Sequence, residues 1–472
     1  MRPMELFLLC MIIITLIEYS IRWSKRILIF LAGSSSCVGF LQWQTEGYRW
    51  QMLPAYVTAA VLLLLTVTAL FKRTPKKVHR SRRQIILQVI SIILLLVVLF
   101  ILPALLPVFG TLSPSGEYKV GTSTFHWIDE TRTETLTENP TDYRELMVQL
   151  WYPVNESKWK IARQAPYFPR EDGFLRELSK SSGIPVPLLD YLNLIGTHAG
   201  ENIPVSNKER SYPLILFSHG FPGSRSFYTY ITEELASQGY IVVAIDHPYH
   251  SLAVAYPDGR TACLKPLPSI ANLSEWDRFI DEIWVKDTQF VLNQIEQLNM
   301  FDAQHSFTGK IDLSRIGMLG HSFGGANAAQ SLMRDNRIKA AINMDGTLFG
   351  SGYKENSSEK PFLLMTAGER IEEVELEGTE PSIEELQAQG ITREEFALFA
   401  EEISRRKKHA LSNNGEELFF PEAQHLSFSD FYLISPYLAW SSKAGDVKRL
   451  HREIRVAVVF FFDKKLRTIY EN

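Results

Sequence analysis

The sequence predicts a membrane region of about four helices followed by an α/β domain, its mostly parallel sheet covered by helices. Three observations carry that expectation. The first 110 residues hold long uncharged apolar runs, close to the length that crosses a bilayer as a helix. Beyond them, short continuous apolar runs alternate with segments of helical spacing, the pattern of strands buried on both faces. One of those runs leads directly into Gly320-His321-Ser322-Phe323-Gly324.

Within residues 1–110, Met52 to Phe71 and Ile85 to Phe109 are without charge and each long enough to span. Ile27 to Trp43 is shorter and interrupted by "GSSS", and Met4 to Tyr19 carries Glu5 and Glu18 near its ends. Counting both gives four spans. A cleaved signal peptide fits the first run poorly, because Arg2 is its only early basic residue and no small-residue cleavage site follows. Polar residues in the spans are few, and no charge pair within them suggests a transport path.

Orientation follows from the basic residues. Arg22, Lys25 and Arg26 separate the first two runs, and Lys72, Arg73, Lys76, Lys77, Arg80, Arg82 and Arg83 separate the last two. Both loops are expected on the cytoplasmic side. The chain then leaves the fourth span outward, so residues 111–472 form an extracytoplasmic domain of a multi-pass cell-membrane protein. Cys263 is the single cysteine of that domain, which excludes an internal disulfide. The formal net charge of -4, with no basic patch in the outer part, excludes nucleic acid as the expected partner.

In order along the outer part, "TLSPSGEYKVG" reads as a linker and "ELMVQLWYPV" as an early strand. "YPLILFSHG" is a buried strand, "SFYTYITEELASQG" a helix and "YIVVAIDHP" another buried strand. "WDRFIDEIWVKDTQFVLNQIEQLN" has helical spacing, "RIGMLG" is a strand, "GGANAAQSLMR" a helix, and "KAAINMDG" and "PFLLMTAG" are strands. "DVKRLHREIRVAVVFFFDKKL" supplies a closing helix. Two stretches fall outside this rhythm and read as insertions, near residues 155–205 and 369–414. The second has two helix starts with capping-box spacing, Ser382 with Glu385 and Thr392 with Glu395.

The chemistry centres on Ser322. A serine nucleophile must stand clear of the backbone on a tight strand-to-helix turn, which needs glycine on either side. "RIGML" before it and "GANAAQSLM" after supply that setting. Serine is a weak nucleophile, so a base must reach it. Of the three histidines that follow, His409 in "SRRKKHAL" and His451 in "KRLHREIR" read as surface residues. His425, in the aromatic loop "FFPEAQHLSFSDFYL", is the candidate base. Asp345, directly at the end of "KAAINMD", is the candidate acid, ahead of Glu369, Glu372 and Glu373 in a run that reads as solvated. Backbone N–H groups of Phe221, after "SHG", and Phe323 are the candidate oxyanion donors. Leu348, Phe349 and Leu426 are candidate pocket residues. His219 reads as structural, while His247 and His250 stay open between site lining and packing.

"GHSFGGA", Asp345 and the late "QHLSFSDF" resemble the plasma platelet-activating factor acetylhydrolase family of α/β-hydrolases. The similarity runs on through "SHGFPGSRSFYTYITEELASQGYIVVAIDHP" and "LMVQLWYPV", and leaves the four spans uncovered. It implies an α/β-hydrolase fold and a calcium-independent serine esterase that removes short or oxidised acyl groups from phospholipids. It also implies Ser322, Asp345 and His425 as nucleophile, acid and base, with Phe221 and Phe323 as oxyanion donors. No metal or cofactor is expected, since EF-hand, H-E-x-x-H and P-loop patterns are absent. Two alternatives remain: a general short-chain esterase or thioesterase, and a hydrolase fold serving as a binding or sensing module.

Overall fold

The computed structural model describes residues 1–21, 24–71, 81–169, 173–265, 272–304, 306–353, 359–368 and 392–467. They divide into two compact units. One comprises Met1–Phe109, Ile184–Ile195 and Ile434–Leu438; the other comprises Gly110–Gly183, Gly196–Leu433 and Ala439–Asn472.

The first unit is built on α1 (Pro3–Ile21), α2 (Lys25–Glu46), α3 (Leu53–Phe71) and α4 (Arg82–Leu105). All four are long and apolar enough to cross a membrane. Leu64, Leu94 and Ile101 are among many apolar side chains that α3 and α4 leave exposed. The "GSSS" that interrupts the second apolar run lies inside a continuous α2. Its Ser35 is fully buried and its hydroxyl meets that of Thr15 on α1 at 3.0 Å, a close approach that small residues permit. Ser81 begins α4 with a capping box to Gln84, satisfying two orphan N–H groups. Arg22 and Lys72 to Arg80 lie outside the described residues.

A buried charge pair lies at one end of these helices. Glu5 of α1 and Arg49, just before α3, are fully buried and joined by two bonds of 2.7 Å. Arg2 adds a bond of 2.9 Å to the same carboxylate, and Leu106 accepts from Arg49 at 2.8 Å. The partners sit at the ends of the apolar runs, which is why scanning within each run misses them.

The second unit contains a ten-stranded sheet. Its strands are β1 (Lys119–Thr133), β2 (Tyr143–Val154), β3 (Gln164–Pro166), β4 (Gly196–Glu201), β5 (Tyr212–Ser218) and β6 (Ile241–Asp246). A separate hairpin, β7 (Ala253–Ala255) and β8 (Thr261–Cys263), precedes β9 (Ile311–His321), β10 (Ile338–Met344), β11 (Phe362–Ala367) and β12 (Gly415–Phe420). The order across the sheet is β12-β11-β10-β9-β5-β6-β2-β1-β4-β3. From β12 to β6 all neighbours are parallel; β2 then runs antiparallel to both β6 and β1. Every residue of β5 and β6 is buried, as continuous apolar strands require.

Chain order fixes where a site can form. From β5 the chain moves to β6 on one side, then returns to β9 and proceeds through β10 and β11 on the other. The carboxyl ends of β5 and β9 therefore flank the point where strand order reverses, and connections leaving in opposite directions open a crevice there. The helices that cover the sheet include α5 (Thr229–Ser237), α6 (Val285–Met300, entered through Leu273–Phe279 and a π-helical turn Ile280–Trp284), α7 (Phe323–Arg334), α8 (Arg393–Ala410) and α9 (Val447–Phe462). The Thr392 capping box to Glu395 forms at the start of α8; Ser382 and Glu385 lie outside the described residues.

Candidate active site

Ser322 sits between β9 and α7 with φ 54° and ψ -120°, a strained conformation for a residue with a side chain. The turn is tight enough to demand glycine. A Cβ on Gly320 would lie 1.9 Å from the Gly324 carbonyl oxygen, and one on Gly324 would lie 2.1 Å from that of Ser218. The Ser322 N–H donates to Met344 O at 2.9 Å, which fastens the turn to β10.

Three of the predicted residues meet here. His425 Nε2 lies 3.0 Å from Ser322 Oγ, and His425 Nδ1 lies 2.6 Å from Asp345 Oδ2. Asp345 follows β10 with φ 52°. Its N–H donates to Met365 O at 2.7 Å and its Oδ1 accepts the Ala367 N–H at 2.8 Å. Burial pushes this carboxyl up, but the His425 hydrogen bond and nearby charge, with the Ala367 N–H, outweigh it and hold it below the ordinary carboxylate value. The carboxylate is thus fixed from both oxygens. The His425 side chain is 46% exposed and Ser322 is half-buried, so solvent reaches the pair. Glu369, Glu372 and Glu373 lie outside the described residues.

The two candidate donors are carried by segments that adjoin the nucleophile. Phe323 is the first residue of α7, so its N–H belongs to the unsatisfied positive end of that helix. The loop that bears Phe221 passes directly against Ser322: a Cβ on Gly220 would be 3.0 Å from Ser322 Cβ. Both phenylalanine rings join one aromatic cluster. In it Trp276 stacks on Phe349 at 5.1 Å, and Phe323 meets Trp276 at 5.3 Å and Trp284 at 4.9 Å edge to face. Such pairs contribute about 0.5–1.5 kcal/mol each beyond their burial.

Phe349 belongs to this aromatic cluster, and Leu426 is half-buried beside His425. Leu348 is a correction. It is 2% exposed and belongs to the core cluster that also holds Leu332, Tyr353 and Phe362, whereas Phe349 belongs to the aromatic cluster. The aromatic wall from Trp276, Phe279 and Trp284 was not foreseen; its signal is the helical spacing of aromatics in "WDRFIDEIW". His451 is a second correction: it is fully buried, stacked on Tyr230 at 3.9 Å and donating to Ser429 O at 3.1 Å. It lies beside Leu450 on the inward stripe of α9 that continues through Ile454 and Val458. His409 lies near the end of α8.

A second Ser-His-Asp series occurs in the same unit. Ser218 Oγ lies 2.9 Å from His247 Nε2, and His247 Nδ1 lies 2.9 Å from Asp287 Oδ2. All three residues are fully buried, and Asp287 is also bonded by Arg144 and Arg132. No substrate can reach this serine. His247 is therefore a packing residue, as are His219, bonded to Ser251 Oγ at 2.8 Å, and His250, which accepts from Trp284 Nε1 at 3.1 Å. Access, more than bonding pattern, separates Ser322 from Ser218.

The family profile described as platelet-activating factor acetylhydrolase, isoform II, matches residues 110–296 and 285–441. A probable 1-alkyl-2-acetylglycerophosphocholine esterase of Arthroderma benhamiae is 31% identical over 265 residues, covering 53% of this chain and 63% of its own. The platelet-activating factor acetylhydrolase of Cavia porcellus is 29% identical over 231 residues, covering 44% of this chain and 52% of its own. The matched region is thus about half to two-thirds of these relatives' length. Among solved structures, a ferulic acid esterase from Streptomyces cinnamoneus superposes with a TM-score of 0.55 at 26% identity, covering 77% of this chain and 94% of that one. The parallel sheet, its covering helices and this likeness make the fold that of the α/β-hydrolases, and the profile match places the chain in the platelet-activating factor acetylhydrolase, isoform II, family.

Proposed function

We propose that the protein is a membrane-anchored serine carboxylic ester hydrolase that cleaves short or oxidised acyl esters of phospholipids or similar lipids. The observation that carries this reading is the hydrogen-bonded series from Ser322 through His425 to Asp345, open to solvent at its serine end. His425 Nε2 takes the Ser322 proton as Oγ attacks the ester carbonyl. The negative charge that develops on the carbonyl oxygen is received by the N–H groups of Phe221 and Phe323. His425 returns the proton to the leaving alkoxide, and a water activated by the same nitrogen hydrolyses the acyl-enzyme. Asp345 holds the tautomer that leaves Nε2 free to accept.

The names of the Arthroderma and Cavia relatives support an acetylated glycerophospholipid as substrate. Four apolar helices with exposed apolar faces support membrane anchoring, and the basic residues beside them support an extracytoplasmic catalytic unit. A small soluble ester is the second reading, favoured by the likeness to a ferulic acid esterase. The two separate by rate. The full chain in detergent, beside its Ser322→Ala variant, is assayed on micellar 2-acetyl phospholipid and on soluble p-nitrophenyl acetate. Serine-dependent turnover with the higher kcat/KM on the phospholipid is the expected outcome. A higher value on the soluble ester would favour the second reading, and equal rates for both proteins would reject both.

A further inference from the structure

Resting on that reading of Ser322 and His425, we propose that Tyr228 and His321 are positioning residues, forming a buried hydrogen-bonded strut that ties the oxyanion loop to the backbone of the base. The Gly220 N–H lies 2.9 Å from Tyr228 Oη. Tyr228 Oη lies 2.8 Å from His321 Nδ1, and His321 Nε2 lies 2.9 Å from the carbonyl oxygen of His425. Three segments far apart in sequence are joined by these bonds.

The direction of each bond is fixed by its ends. An amide N–H only donates, so Tyr228 Oη accepts from Gly220; a carbonyl only accepts, so His321 carries its proton on Nε2. In a neutral imidazole Nδ1 is then an acceptor, and the Tyr228 hydroxyl proton points to it. Burial, with the charge of His425 nearby, pushes His321 down to about 3, so the ring stays neutral throughout the range in which an esterase works. Both side chains are almost wholly buried.

The ends of the strut explain its effect. One is Gly220, directly before the Phe221 donor. The other is His425 itself, whose ring also packs on that of His321 at 4.7 Å. Gly220 has no room for a side chain here: a Cβ would come within 2.9 Å of His321 Nδ1 and 3.1 Å of Tyr228 Oη. Loss of the strut therefore releases the donor and the base together. Misplacement of a reacting group by about 1 Å costs on the order of 100-fold in rate, while binding of the acyl chain along the aromatic wall is left alone.

The test is a kinetic cycle on the full chain in detergent with p-nitrophenyl acetate. Tyr228→Phe removes one hydroxyl and is expected to lower kcat about 10- to 100-fold with KM within about twofold. His321→Leu should do the same. His321→Gln, which retains an N–H for the His425 carbonyl, should recover at least about tenfold over His321→Leu. The Tyr228→Phe/His321→Leu double variant should be no slower than the worse single one, as for residues that act as a unit. A wild-type kcat in Tyr228→Phe, equal rates for His321→Gln and His321→Leu, or losses that multiply would each overturn the strut. If Tyr228→Phe fails to fold, the His321 pair decides alone. Ser322→Ala is run beside them: activity there would reject the nucleophile, whereas an inactive Ser322→Ala with unaffected Tyr228→Phe would reject the strut only.

Discussion

At the scale of single residues, conformation and charge are concentrated around the loop that carries His425. Ser322 and Asp345 both hold positive φ without being glycine, a cost of order 1–3 kcal/mol each that the β9 and β10 ends sustain. Asp430, five residues past His425, is fully buried; its Oδ2 accepts from Tyr167 Oη at 2.9 Å and its Oδ1 is without a partner among the described residues. Burial, partly offset by Tyr167, the Tyr230 N–H and Arg455, and reinforced by Glu233, pushes this carboxyl up to about 8. A carboxyl that holds its proton when folded and loses it near pH 4 when unfolded favours folding at low pH. Its contribution declines as pH rises from about 4 and is gone above about 8. Asp430→Asn mimics the protonated form, so its thermal midpoint in detergent should fall less than that of the wild type between pH 4 and 8. A parallel pair of curves would remove Asp430 as the cause.

At the scale of elements, the π-helical turn Ile280–Trp284 and the helix leading into it bring Trp276, Phe279 and Trp284 against Phe323. If the acyl chain lies along this wall of flat rings, the rings bound its length. Trp276→Ala opens the wall, and the preferred p-nitrophenyl ester should move from acetyl or butyryl toward octanoyl; an unchanged profile would place the acyl group elsewhere. The strands that lead into Ser322 and Asp345 were legible in the sequence because each is a continuous apolar run ending next to the residue with the candidate chemistry, whereas His425 lies in a loop. β12 was not legible, since "GEELFF" is an edge strand with exposed residues and no two-sided burial to mark it. Leu348 and His451 were misread for a related reason: the side to which a loop or helix residue turns is settled by packing, and nearness in sequence to Asp345 or to basic residues does not determine it. Tyr228 and the aromatic wall carry their meaning only once segments distant in sequence are brought together.

At the scale of the whole molecule, two units of different chemistry share one chain, and the first boundary between them, Phe109–Gly110, coincides with the end of the last apolar run. The helical unit is fastened at one end by Glu5 and Arg49, and the α/β unit by a buried cluster in which Arg144 bridges Glu134 and Asp287. Buried pairs of this kind are costly to break, about 3–5 kcal/mol when one partner is removed. The same unit holds two Ser-His-Asp series, so its chemistry rests on which serine a substrate can reach. The most direct measurement is therefore labelling of the full chain in intact membranes with a fluorophosphonate probe, followed by peptide mapping of wild type and Ser322→Ala. Modification confined to the Ser322 peptide, and lost in the variant, is the expected result; modification of another serine, or equal labelling of both proteins, would contradict Ser322 as the nucleophile.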